Sequence, residues 1–376
     1  MDTLLDTIKN GLKSLFGGNS ISDAVGVDIG SSAIKVVHIK KEGEKAVLET
    51  YGALALGPYM QDGVIGQVVN PDLETIVKAL KDIFAETKIT STNVVLGIPS
   101  VSSIVFILQL PADIDEKALS TAIPIEAKKF IPVPLTDVSL DWYVIPERED
   151  SGTESRVIAE SGGEAKMSVL VVATLNETLA QRTEIMQKSN LPTDSLEIEL
   201  FSNIRALLSR ELFPVLIIDI GASKTKLTIV EHGIVQTFRL VNKGGQDMTT
   251  AISRSLEIPF AKAEQIKKEY GFAVSAEYPK LVDIMKLNYS LIGQEANTTI
   301  LGYEKRYNKN VSKIIITGGG AMAKGLVPYF GEVFSAEVVL GDPFQKVEAP
   351  VFLTGILQTT GPEFSAAIGL ALRRIQ

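Results

Sequence analysis

The chain has 376 residues, 45% apolar and 22% charged, with a formal net charge of −8, two histidines and no cysteine. At about 150 residues per domain, this length predicts two or three domains with enough buried surface to fold without staples. The missing cysteines exclude disulfides, thiolate catalysis and thiolate-held zinc; His38 and His232 lie too far apart for a histidine cluster, and the scattered basic pairs exclude the one basic face of a nucleic-acid binder.

Residues 2–16 have helical periodicity: Leu4, Leu5, Ile8, Leu12, Leu15 and Phe16 fall in one arc of about 120° on a helical wheel. They predict an amphipathic helix tethered by residues 17–20, which either acts outward on a membrane or partner or packs on its own domain. No run reaches the roughly 18 to 20 apolar residues of a membrane span, and Asp2 and Asp6 do not suit a secretory signal. A cytoplasmic chain is therefore expected.

Residues 25–39, VGVDIGSSAIKVVHI, predict an apolar strand, an Asp-x-Gly-x-Ser turn and a second, alternating strand. Two strand-like runs over residues 93–110 flank Pro99 and Ser100. Next comes a helix capped by Asp113 or Asp115 and running toward Phe130, where Pro132 and Pro134 force an extended exit. A strand DVSLDWYVI, a Glu/Ser/Gly-rich loop over 147–166, a strand MSVLVVATL and a helix over 176–189 follow. This stretch presents no cluster of acid, base and nucleophile. Its apolar, proline-rich helix exit reads as a docking groove rather than a pocket for chemistry.

Residues 216–230, LIIDIGASKTKLTIV, repeat the first motif: Asp219 aligns with Asp28, Gly221 with Gly30, Ser223 with Ser32 and Lys226 with Lys35. One such turn is an ordinary hairpin; two with matching flanks argue for a duplicated α/β domain. Gly30 and Gly221 allow close backbone approach, consecutive amides and hydroxyls make an anion cradle, and the aspartates can hold the water shell of Mg²⁺. Residues 244–271 predict two helices divided near Pro259, with Glu264 and Lys267 one turn apart; a surface ion pair is their plain reading. Residues 311–326 predict a strand, three glycines and a helix start, a place for a flat ring or phosphate.

With a last helix over 365–374, these elements in this order resemble the actin-like ATPase superfamily from residue 23 onward. That resemblance implies an α/β fold of two RNase H-like halves around a nucleotide cleft. ATP with Mg²⁺ is the implied ligand, and Asp28 and Asp219 would hold the metal through water. Asp28, Gly30, Ser31, Ser32 and Lys35 would form one phosphate loop, and Asp219, Gly221, Ala222, Ser223 and Thr225 the other. Gly244, Gly245, Glu264, Lys267 and Gly318, Gly319 and Gly320 would surround the nucleoside. The superfamily's water-orienting position falls on Glu199, where related hydrolases often carry Gln, which implies a slow ATPase at most.

Within residues 110–142, Glu126-Ala127, Phe130-Ile131-Pro132, Pro134 and the run from Val138 to Trp142 are similar to the signature of the PilM family of type IV pilus assembly proteins. This implies an inserted subdomain placed as in FtsA. It also implies a groove of Ala127, Phe130, Ile131, Pro132, Val133, Pro134 and Leu135 that takes the cytoplasmic N-terminus of the membrane protein PilN. Such a scaffold would sit at the cytoplasmic face of the inner membrane, beside the pilus platform and motor proteins, with self-association as a further expectation. Pro124 departs from the pattern and is expected to kink the helix or shift its start. The implied layout is 1–20 as helix and linker; 21–92, 190–213 and 355–376 as the first half; 93–189 as the insert; and 214–354 as the second half. The same fold also serves FtsA-like filament-forming membrane tethers and small-molecule kinases, and the insert offers the latter no acceptor site.

Overall fold

Each Asp-x-Gly turn joins two antiparallel strands in the computed structural model of this protein, which describes residues 21–146, 166–191, 195–209 and 211–375. The helix expected over 2–16 and nearly all of the loop expected over 147–166 lie outside the described residues. The elements are β1 (Asp23–Ile29), β2 (Ala33–Glu42), β3 (Lys45–Ala55), α1 (Leu73–Thr87), β4 (Val94–Ile98), β5 (Ser103–Pro111), α2 (Glu116–Ala127), β6 (Val138–Val144), β7 (Lys166–Leu175) and α3 (Asn176–Lys188). They continue with β8 (Leu196–Ile198), α4 (Glu199–Leu207), β9 (Val215–Ile220), β10 (Thr225–Glu231), β11 (Ile234–Val241), α5 (Gly245–Leu256), α6 (Phe260–Tyr270) and α7 (Leu281–Tyr307). β12 (Lys313–Thr317), α8 (Leu326–Val333), β13 (Glu337–Leu340), α9 (Thr354–Thr360) and α10 (Ser365–Ile375) complete the order.

The duplication is visible in the sheets. One has the order β3-β2-β1-β4-β8 and the other β11-β10-β9-β12-β13, each a three-stranded meander extended by two parallel strands. Every residue of β9 is buried, and its two faces serve different cores. Leu216, Ile218 and Ile220 join a core with α7 residues such as Tyr289 and Ile292, whereas Val215 and Ile217 join β1, β2, α4 and α10. That second core ties the two sheets together.

α10 reaches this core because β1 carries a glycine beneath it: a Cβ on Gly26 would run into the carbonyl oxygen of Ala367 and lie 2.7 Å from Ala371 N. Gly369 on α10 meets the backbone of Ser202 in the same way. Gly26→Ala is therefore expected to lower the unfolding free energy by about 2–3 kcal/mol. Gly302→Ala, with open space around it in α7, is expected to raise it by about 0.5–1 kcal/mol. Urea denaturation of the two variants checks the contrast.

Two compact units result, one from the described part of Ser100–Gln181 and one from the described parts of Gly18–Pro99 and Arg182–Gln376. β4 pairs in parallel with β1 and belongs to the first sheet, although the insert was expected from residue 93. The smaller unit is an antiparallel sheet of order β5-β7-β6 with α2 packed on it. Asp115, not Asp113, caps α2, accepting from Ala118 N at 2.7 Å. The helix starts on that cap in spite of Pro124, which lies inside it. It ends at Ala127, short of Phe130, where i→i+3 bonds from Lys129 N to Glu126 O and Phe130 N to Ala127 O tighten the chain.

Candidate functional site

The two turns are alike to the level of single hydrogen bonds. Gly30 N donates to Ala33 O and Gly221 N to Lys224 O, both at 3.0 Å. The hairpin registers place Asp28 opposite Lys35 and Asp219 opposite Lys226. The turns face one another, with Ser31 Oγ donating to Ser223 Oγ at 3.1 Å across 192 residues of sequence. Their carbonyls are drawn back into the fold: Ser31 O accepts from Val69 N, Ser32 O from Leu56 N, Gly221 O from Gly245 N and Ala222 O from Gln246 N. The amides of Ser31, Ser32, Ala222 and Ser223 have no partner among the described residues. Paired amides with satisfied carbonyls behind them are the makings of an anion cradle.

Charge is concentrated between the turns. Lys226 Nζ lies 3.0 Å from both Glu199 and Asp219, while Lys35 Nζ is 3.9 Å from Asp28. Glu199 is the first residue of α4 and is buried. Burial, opposed by Lys226 and reinforced by Asp28, pushes its carboxyl up to about 7. Asn203, one turn further along α4, donates to Asp219 at 3.1 Å and accepts from Ser365 Oγ at 2.8 Å. Among the described residues no group of three or more acidic or histidine side chains is arranged to hold a metal ion alone.

Around the expected nucleoside positions the glycines divide by role. Gly318, at φ +84°, and Gly320 are pressed against Asp219 and Ile220, whereas Gly319 faces open space. Gly319 and Gly320 open a 3-10 turn, Gly319–Met322, and the helix starts only at Leu326. The amides of Gly244 and Gly245 are taken by Asp247 and by Gly221 O, and the Thr225 hydroxyl donates to Lys243 O at 2.8 Å. The Glu264–Lys267 pair is not on the surface: both are largely buried at 2.6 Å, and Lys267 also donates to Gly245 O and the Thr249 hydroxyl. Burial works against the Glu264 charge, but Lys267 holds its carboxyl below the usual range.

The connection between β3 and α1 spans the cleft, a feature the sequence reading missed. Val68 N donates to Gln246 Oε1 at 2.6 Å, Val69 N to Ser31 O at 3.0 Å, and Gly66, at φ +86°, lies against the Glu264 carboxylate.

In the smaller unit, the seven expected groove residues separate. Ala127 and Ile131 are core residues, at 0% and 6% exposure, so they are not groove contacts. Val133 and Leu135 pack partly against that core. Pro132 and Pro134 are exposed, as is Phe130, which stacks on Phe106 with centroids 4.9 Å apart. Ile125 is exposed as well.

Comparison with known proteins agrees with this architecture. The chain is 26% identical to the cell division protein FtsA of Neisseria meningitidis serogroup B, over 92% of this chain and 88% of that protein. It is 22% identical to FtsA of Escherichia coli K12, over 92% and 89%. Among solved structures, it matches the PilM-PilN type IV pilus biogenesis complex at TM-score 0.77 and 23% identity, covering 95% of this chain and 99% of that one. Ethanolamine utilization protein EutJ of Carboxydothermus hydrogenoformans matches at TM-score 0.53 and 16% identity, over 98% and 97%. The fold is that of the actin-like ATPases. The profile described as type IV pilus assembly protein PilM matches residues 26–375, and the chain belongs to that family.

Proposed function

We propose that the cleft binds ATP and that the protein is an ATP-loaded scaffold of type IV pilus assembly, taking the cytoplasmic N-terminal segment of PilN on its smaller unit. The observation that carries the nucleotide reading is the pair of facing turns whose carbonyls are satisfied behind them and whose amides are not. Those amides and the Ser31, Ser32 and Ser223 hydroxyls suit phosphate oxygens. Mg²⁺ would neutralise phosphate charge, with Asp28 and Asp219 holding its water shell. Gly319 offers open backbone to the nucleoside, and the Glu264–Lys267 pair stands ready for the ribose.

The Lys226 ammonium against Glu199 Oε2 draws on the carboxylate's charge and weakens it as a base toward water. This favours a site that binds ATP to close two halves over one that turns it over quickly. Membership of the PilM family and the likeness to a PilM-PilN complex support the pilus assignment and PilN as partner. No helix among the described residues is long and apolar enough to cross a membrane, so membrane attachment through PilN fits this reading. Of the expected groove residues, Phe130, Pro132 and Pro134 are exposed, which supports their contact with a peptide.

Calorimetric titration of the whole chain with a synthetic PilN N-terminal peptide, with and without Mg-ATP, tests both parts. Binding that strengthens with Mg-ATP is expected. Absence of binding in both states would remove the scaffold reading.

A further inference from the structure

The return helix α3 places Leu179, Arg182, Ile185 and Met186 on its buried stripe, so an arginine stands where the helical period calls for an apolar side chain. Arg182 is 6% exposed, and its Nε is buried with no hydrogen-bond partner among the described residues. The two carboxylates whose charge acts on it are Glu199 and Asp28, yet it makes no ion pair within 4.0 Å with either. A guanidinium with five donors is rarely buried without an acceptor, because desolvation of the charge is then uncompensated.

The other two cations near these carboxylates are already engaged. Lys226 is divided between Glu199 and Asp219, and Lys35 faces Asp28. Arg182 is the free fork among them. The charges that act on it, Glu199 and Asp28, belong to the phosphate side of the cleft.

We propose that Arg182 is a phosphate-binding residue of this cleft, engaging the terminal phosphate of a nucleoside triphosphate and so setting its preference for triphosphate over diphosphate. This rests on the nucleotide reading above. A planar fork suits two oxygens of one phosphoryl group, and the guanidinium gains in the complex the acceptors it lacks in the protein alone.

The test compares Mg-ATP and Mg-ADP binding by calorimetry for the full chain, Arg182→Met and Arg182→Lys, with thermal melting of each protein without nucleotide. Arg182→Met removes, at similar volume, a buried charge whose Nε has no acceptor, so its melting temperature should be unchanged or higher. Its affinity for Mg-ATP should fall on the order of 30-fold, with Mg-ADP altered by less than about threefold. Arg182→Lys keeps the charge without the fork and should lose about tenfold for Mg-ATP only; it gives the same comparison if the methionine variant does not fold. A merely structural arginine would lower the melting temperature and weaken both nucleotides alike, which overturns the proposal. An unchanged preference with both nucleotides bound overturns the role of Arg182 alone. A wild-type chain that binds neither nucleotide overturns the nucleotide reading as well.

Discussion

Asp219→Ala is expected to abolish Mg-ATP binding and to lower the unfolding free energy by about 3–5 kcal/mol, whereas Asp28→Ala should abolish binding at a stability loss of about 1 kcal/mol or less. The two aspartates occupy equivalent places in the repeat, and the difference comes from what surrounds them. Asp219 accepts from Lys226 at 3.0 Å and from Asn203 at 3.1 Å, so its removal leaves a buried ammonium and a buried amide short of an acceptor. Asp28 stands 3.9 Å from Lys35 and repels Glu199, so its removal also relieves a like-charge contact. Urea denaturation measures the stabilities and calorimetry the binding. Equal stability losses would mean that both copies carry the same electrostatic load. Unchanged Mg-ATP affinity in both variants would remove the phosphate clamp.

The repeat could be read from the sequence because its signal is local: a strand, a short Gly/Ser turn and a strand, twice. The two hairpins, β1 with β2 and β9 with β10, follow from it. Partners joined over long separations could not be read in this way. Asn203 reaches Asp219, Gln246 caps the amide of Val68, and Ser31 meets Ser223, each through a tertiary contact that no window contains. The triple glycine illustrates a second limit. Residue identity marks close approach without saying to what, and in Gly318 and Gly320 the neighbour is β9 itself. Thr225, Gly244 and Gly245 likewise spend their polar groups inside the fold. Arg182 was within reach, since a charge on the 179–182–186 spacing of an otherwise ordinary helix is a pattern visible in the letters alone.

The last prediction separates a recognition surface from the core beneath it. Ile131→Glu should unfold the smaller unit, and Phe130→Glu should leave it folded but unable to hold a PilN peptide. Leu119, Ile123, Ala127 and Ile131 recur every four residues, and all four are buried with Leu108, Val169 and Val171. A carboxylate at Ile131 would enter a site lined by aliphatic carbon, at a cost of about 4 kcal/mol or more. Phe130 lies off that stripe, half-exposed, with the Phe106 ring as its main support. Losing one stacked pair costs about 1 kcal/mol, which a folded unit tolerates. Protection from hydrogen exchange over residues 100–146 and 166–181 should therefore collapse in the first variant and stay near wild type in the second, while peptide titration loses signal in both. If Ile131→Glu stays protected, the core assignment fails. If Phe130→Glu binds the peptide with wild-type affinity, the docking surface lies elsewhere on the unit, and the exposed Ile125 beside it becomes the next position to charge.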